Sequence, residues 1–272
     1  MIFGKINALI LIVQFMKKKL LRTYFDNFPE IIKKIIRKLY RCIDLIPFTK
    51  RYKRRKWIKE VYSKFGQEQR KNIFLSCARF CHINRPVDGY YFEFGCHEAN
   101  TMRMAYDHFH HLFDWIYVAF DSFEGLPEIS EIDKQEIWER GKLKTSENRF
   151  IHVVTRHGMP RKKLITVKGF YDVSLDENLK KKLLPTKAAV VYIDCDLYKS
   201  TVPVLDFIKD FLQKGTIIIF DDWYCFHGDT EKGERRAFAE FKKKNPGLVF
   251  EDFVQTNEAK SFVFIGENNR DE

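Results

Sequence analysis

Two apolar runs decide the fold: Ala188-Ala189-Val190-Val191-Tyr192-Ile193, which stops at Asp194-Cys195-Asp196, and Thr216-Ile217-Ile218-Ile219-Phe220, which stops at Asp221-Asp222. Runs this short and this rich in β-branched residues read as strands buried on both faces. Between them, Ser200-Thr201 precedes Val202, Val204, Leu205, Ile208 and Leu212, the pattern of a capped amphipathic helix, and Gly215 closes it. The unit is therefore strand, helix, strand. Parallel strands joined by a helix place both carboxylate pairs at one edge of the sheet, in the crevice where open α/β sheets bind ligands. Such carboxylates invite a hard metal ion, although strand-end aspartates also cap turns.

Upstream, Gly89-Tyr90-Tyr91-Phe92-Glu93-Phe94-Gly95 reads as the first strand, between a helix over roughly 67–81 and a helix carrying Met102, Met104, Ala105, Phe109 and Phe113. The turn after Gly95, Cys96-His97-Glu98-Ala99-Asn100-Thr101, has no further glycine, so a ligand without phosphates fits better than a dinucleotide. Trp115-Ile116-Tyr117-Val118-Ala119-Phe120 is the second strand, and Asp121 at its end suits the hydroxyls of a ribose or the capping of a turn. Residues 127–163 are polar and interrupted, a candidate lid over the crevice. Leu164-Ile165-Thr166-Val167 is the third strand. At the C-terminal end, Asp229-Thr230 can cap a helix containing Ala237, Phe238 and Phe241, and two strands over 248–254 and 261–265 are close enough to form an antiparallel hairpin. The fold class is α/β, a Rossmann-like doubly wound sheet, mostly parallel and closed by that hairpin, with helices at the N-terminus.

The 272 residues, 45% of them hydrophobic, can bury one full core. The formal charge of +11 suggests nucleic acid until it is placed along the chain. Residues 1–60 hold 17 Lys and Arg against 4 Asp and Glu, which leaves 31 against 33 in residues 61–272. The domain itself is near neutral, so nucleic acid is not an expected partner. The sequence thus divides into a basic N-terminal segment, 1–60, and a domain, 61–272. Within the segment, Phe28, Ile31, Ile32, Ile35, Ile36, Leu39 and Ile43 recur at helical spacing opposite Lys33, Lys34, Arg37, Lys38 and Arg41. A peripheral contact with the inner face of an anionic membrane and packing on the chain's own domain both suit such a helix. The apolar run over 6–15 is too short to span a bilayer and lacks a cleavage signal, and six scattered cysteines suit a reduced, cytoplasmic protein.

Five motifs, in order, carry a resemblance: Glu93-Phe94-Gly95, Phe120-Asp121-Ser122-Phe123-Glu124-Gly125-Leu126-Pro127, Lys168-Gly169-Phe170, Asp194-Cys195-Asp196-Leu197-Tyr198-Lys199-Ser200-Thr201 and Asp221-Asp222-Trp223. Together they resemble the macrocin-type O-methyltransferases that modify macrolide sugars, over roughly residues 68–265. The resemblance implies a class I S-adenosylmethionine-dependent methyltransferase with a seven-stranded sheet. It implies that Glu93, Gly95, Thr101, Asp121, Ser122, Phe123 and Asp194 bind the cofactor, and that Asp194, Asp221 and Asp222 hold Mg2+. Asp196 is then structural. Where this chain has Ala99, family sequences usually have a second glycine.

A sulfonium methyl group is transferred by in-line displacement, so an acceptor hydroxyl must be aligned and relieved of its proton. A magnesium ion with open sites would orient and activate that hydroxyl. Asp194, His157 and His227 are the candidate catalytic groups, with His152 a further lid histidine. The expected acceptor is a sugar or glycan-like small molecule, and a homo-oligomer is left open. Two other readings remain at this point: a glycosyltransferase using Asp194 and Asp196 to hold a metal on a nucleotide sugar, and a catalytically silent cofactor-binding scaffold.

Overall fold

The structure is a computed structural model that describes residues 29–34 and 49–268. The apolar run over 6–15 and most of the amphipathic stretch 28–43 lie outside the described residues; residues 30–34 are helical. The chain divides into two units between Phe65 and Gly66. In the first, α1 (Lys50–Trp57) is capped by the Thr49 hydroxyl, which accepts the Tyr52 N–H at 3.0 Å, and a π-helical turn, Ile58–Tyr62, follows it. No helix of the described residues is long and apolar enough to cross a membrane.

The second unit is built on a seven-stranded sheet of order β3-β2-β1-β4-β5-β7-β6. The strands are β1 (Tyr90–Phe94), β2 (Ile116–Asp121), β3 (Leu164–Lys168), β4 (Ala188–Ile193), β5 (Ile217–Phe220), β6 (Leu248–Gln255) and β7 (Lys260–Glu267). Strands β1 to β5 are parallel, while β7 runs antiparallel between β5 and β6. The four-residue link from β6 to β7, 256–259, cannot cross the sheet, so the hairpin is dictated by its length.

Every residue of β4 and β5 is buried, as apolar runs without alternation require. One face of the sheet presents Tyr91, Tyr117, Tyr192, Ile217 and Ile219 to α2 (Ser63–Ile83), α3 (Asn100–Phe109) and α4 (Glu147–Arg156). The other presents Phe92, Phe94, Phe120, Ile193 and Phe220 to α7 (Tyr198–Ile208) and α8 (Gly233–Lys244). Two short helices, α5 (Tyr171–Ser174) and α6 (Glu177–Leu183), link β3 to β4. The Phe94 and Phe120 rings stack at 4.3 Å between centroids, just below the ends of β1 and β2. This aromatic floor holds the ligand edge of the sheet.

Two sequence expectations are corrected. Residues 127–163 are not a lid throughout, because α4 lies within them and buries Phe150 and Val154 in the core. Phe150, Ile151, Val153 and Val154 have the spacing of a packed helix, which the polar residues around them obscured. The helix after β4 starts at Tyr198, and neither Ser200 nor Thr201 caps it. Asp133, from the β2–α4 connection, accepts the Tyr198 N–H at 2.7 Å and the Lys199 N–H at 3.3 Å. A carboxylate distant in sequence thus serves as the cap and pins the connection over the sheet edge.

Candidate active site

The ligand edge begins at Gly95. Its φ is +85°, and a Cβ there would stand 1.8 Å from the carbonyl oxygen of Asp194. Only glycine permits this approach, because it alone combines a positive φ with no side chain. The Gly95 N–H donates to the Phe120 carbonyl at 3.0 Å and the Asp194 N–H to the Phe94 carbonyl at 2.9 Å, so the ends of β1, β2 and β4 are tied together. Ala99 starts α3 with φ +61°, buried and left-handed. An L-residue with a side chain pays about 1–2 kcal/mol for that conformation, which explains why glycine is the common choice there.

Asp121 ends β2 and organises both loops beside it. One of its oxygens accepts the Cys96 N–H at 2.8 Å and the His97 N–H at 3.2 Å; the other accepts the Phe123 N–H at 2.6 Å. A carboxylate has about four acceptor positions, so three are filled by the chain itself. Asp121 therefore caps turns, and it also lines a cavity of about 530 Å³. Gly95, Ser122 and Asp194 line the same cavity, together with His97, Phe170 and Lys199. That volume suits a small-molecule ligand.

The remaining predicted cofactor residues, Phe123, Thr101 and Glu93, do not line this cavity. Phe123 is buried against Phe150, and Thr101 lies within α3. Glu93 is 1% exposed and accepts the Tyr91 hydroxyl at 2.7 Å. Burial, the largest effect, pushes its carboxyl up to about 8, against an ordinary value of 4.5. The folded protein then retains a proton that the unfolded chain releases, so stability is fully present below about 4.5 and is lost as pH rises through about 8. Glu93→Gln is expected to shrink the drop in melting temperature between about pH 5 and pH 8; an equal drop in variant and parent would show that Glu93 is not its source.

At the ends of β4 and β5, Asp194, Asp221 and Asp222 each offer an oxygen within 4.8 Å of the others. The register that sets Ile193 beside Phe220 brings them together. Asp221 is buried; both of its oxygens are engaged by Arg70, through Nε at 3.1 Å and an Nη at 2.6 Å, and it also accepts the Tyr192 hydroxyl. Asp222 has one buried oxygen with no partner. Removal from water, and then the neighbouring Asp221 charge, hold the Asp194 carboxyl well above the usual range; for Asp222 the causes are removal from water, then Asp196 and Asp221. Asp196, at φ +59°, faces Asp222 and is pushed up to about 7, chiefly by burial.

Glu234, 1% exposed, accepts the Asp222 N–H at 3.1 Å and leaves its other oxygen without a partner. Sequence reading missed Glu234 because it sits in the first turn of α8, where an acidic residue normally answers the helix dipole. Arg70 was missed as well, since α2 presents it 151 residues away from Asp221.

The histidines separate clearly. His157 meets Asp107 at 2.8 Å and, with His152, lines a different groove among Arg103, Arg149 and Arg156. His227 is exposed at φ +61° in the loop after β5. His97 is the histidine on the cavity lined by Asp121 and Asp194, its Nδ1 2.8 Å from the Leu143 carbonyl.

The family profile described as Macrocin-O-methyltransferase (TylF) matches residues 30–250. Among solved structures, the O-methyltransferase NovP is similar with 19% identity and a TM-score of 0.57, over 72% of this chain and 80% of that one. CalS11, a calicheamicin methyltransferase, is similar with 18% identity and a TM-score of 0.58, over 84% of this chain and 90% of that one. Identities at this level speak for the fold alone, and no curated protein matches significantly. The family match covers most of the chain and leaves no place for the glycosyltransferase reading: this protein belongs to the macrocin O-methyltransferase family of S-adenosylmethionine-dependent enzymes.

Proposed function

We propose that this enzyme methylates a hydroxyl of a sugar or glycan-like small molecule, with Mg2+ held by Asp194, Asp221 and Asp222. The observation that carries the reading is that Asp194 belongs both to the cavity wall and to the three-carboxylate group. A methyl donor in the cavity and an acceptor at the carboxylates would therefore meet across one residue. The family's namesake acceptor, macrocin, supports the choice of a sugar.

The residues fit both groups. For S-adenosylmethionine, Gly95 lines the cavity with backbone alone, its lack of a Cβ letting the end of β1 close against Asp194, and Asp121 retains acceptor capacity at the cavity wall. For magnesium, the donor set is hard oxygen, and the three donor atoms lie within 4.8 Å of one another, near enough to share one ion. The Asp222 oxygen without a hydrogen-bond partner is an acceptor that a cation would satisfy. S-adenosylmethionine supplies an electrophilic methyl group, and magnesium supplies Lewis acidity toward the acceptor oxygen. The chain's own work is to align the hydroxyl and to remove its proton. Asp194, at the junction of the cavity wall and the carboxylate group, is assigned the proton-accepting role at its carboxylate oxygen.

The test is incubation with S-adenosylmethionine and a panel of hydroxylated sugars and glycosides, with S-adenosylhomocysteine as the readout. Turnover that needs Mg2+ and stops with a chelator is the expected result. Undiminished turnover in chelator would end the metal assignment; methylation of amine or carboxyl acceptors alone would end the hydroxyl assignment.

A further inference from the structure

The Arg70 guanidinium stands where a cation is wanted. It binds Asp221 through two nitrogens, at 3.1 and 2.6 Å, in the fork geometry that suits a carboxylate. With the Tyr192 hydroxyl also on Asp221, little of this carboxylate is left for another partner. A second acid lies within reach: the Nη that is 2.6 Å from Asp221 is also 3.8 Å from Glu258, in the β6–β7 turn. The Arg70 side chain is 31% exposed and Glu258 is 40% exposed, against 5% for Asp221. Moving from Asp221 to Glu258 therefore carries the guanidinium from a buried to a wetter partner without leaving it unpaired.

From these contacts we infer that Arg70 is a built-in counter-ion that competes with the divalent cation for Asp221, and that it transfers to Glu258 when the ion binds. Asp221 would otherwise be a buried charge without compensation, which is costly. Arg70 stabilises the metal-free site and, for the same reason, lowers its metal affinity, since two cations that exclude each other from one ligand are negatively coupled. The inference rests on the metal assignment proposed above. It makes Arg70 a positioning residue, one that acts on the reaction only through Asp221.

The test is calorimetric titration of Mg2+ and of Mn2+ into the full chain, with melting temperatures recorded in parallel with and without metal. Arg70→Met is expected to bind either ion about tenfold more tightly than the parent, within the usual range of couplings between ligands of one site. Its melting temperature in the absence of metal is expected to fall, and Mg2+ is expected to raise it by more than it raises the parent's. Arg70→Lys, which keeps the charge but loses the fork, should lie between the two and serves if the methionine variant does not fold. Glu258→Gln is expected to weaken metal binding several-fold in the parent and to have a smaller effect in the Arg70→Met background.

Equal or weaker metal binding by both Arg70 variants would overturn the competition, and an equal Glu258→Gln effect in both backgrounds would overturn the transfer. Binding of neither ion by parent or variants would overturn the metal assignment and the inference with it. That outcome differs visibly from unchanged affinity, so the two failures can be told apart.

Discussion

Gly95→Ala is expected to abolish measurable S-adenosylmethionine binding and to lower stability by several kcal/mol. The new Cβ would stand 1.8 Å from the Asp194 carbonyl oxygen and 2.8 Å from its carbon, both backbone atoms of β4's end. Neither can rotate aside, so β1 and β4 must separate where the Asp194 N–H meets the Phe94 carbonyl. Overpacking of this kind costs about 1–3 kcal/mol. The φ of +85° adds about 1–2 kcal/mol for a residue with a side chain. The same shift moves Asp194 relative to the cavity, so binding suffers beyond the loss of stability. Calorimetric titration with S-adenosylmethionine and urea unfolding check the two effects; a variant that bound within about threefold of the parent would show that β1 and β4 yield without cost.

Asp194→Asn is expected to reduce kcat by about 10³, within the range for loss of a positioned proton acceptor. The amide keeps the shape of the carboxylate but cannot take the proton, and it is a weaker ligand for a hard cation. Its effect on stability has the opposite sign. Without a cation Asp194 stands against Asp221, which is buried, and Asp222, which is half-buried like Asp194 itself. Removing one charge relieves that repulsion, so the variant is expected to melt at a higher temperature than the parent without Mg2+ and to gain less when Mg2+ is added. A large loss of kcat with a raised melting temperature would mark a functional residue kept at a cost to stability. A lowered melting temperature in metal-free buffer would instead point to a structural role. Activity within tenfold of the parent would remove Asp194 from proton transfer.

These two positions were legible in the sequence for a physical reason. Gly95 and Asp194 each follow a short apolar strand, and a strand buried on both faces announces itself through a run of residues that any local window reads. The right-handed crossover then sends parallel strand ends to one edge, so Asp194, Asp221 and Asp222 could be placed together before any coordinates. The hairpin was legible from the length of its link.

Other features depend on partners distant in the chain, where local pattern is silent. Helix α4 carries polar residues on its outer side, and only packing against the sheet shows Phe150 and Val154 to be core. The cap of α7 comes from Asp133, 65 residues before Tyr198, while the nearby Ser200 and Thr201, chosen from sequence, lie inside the helix. His152 on α4 and His157 at its C-terminal cap line a separate groove, leaving His97 on the cavity.

What the sequence by itself determined is the order of strands along the chain, the parallel edge and the acidic residues that stand on it, because those follow from short-range periodicity and chain connectivity. What only the tertiary structure decided is how that acidic edge is balanced. Arg70 reaches Asp221 from a helix 151 residues away, and the buried oxygens of Asp222 and Glu234 are left without partners. Electrostatic compensation acts through space rather than along the chain, and no spacing of residues encodes which cation meets which carboxylate.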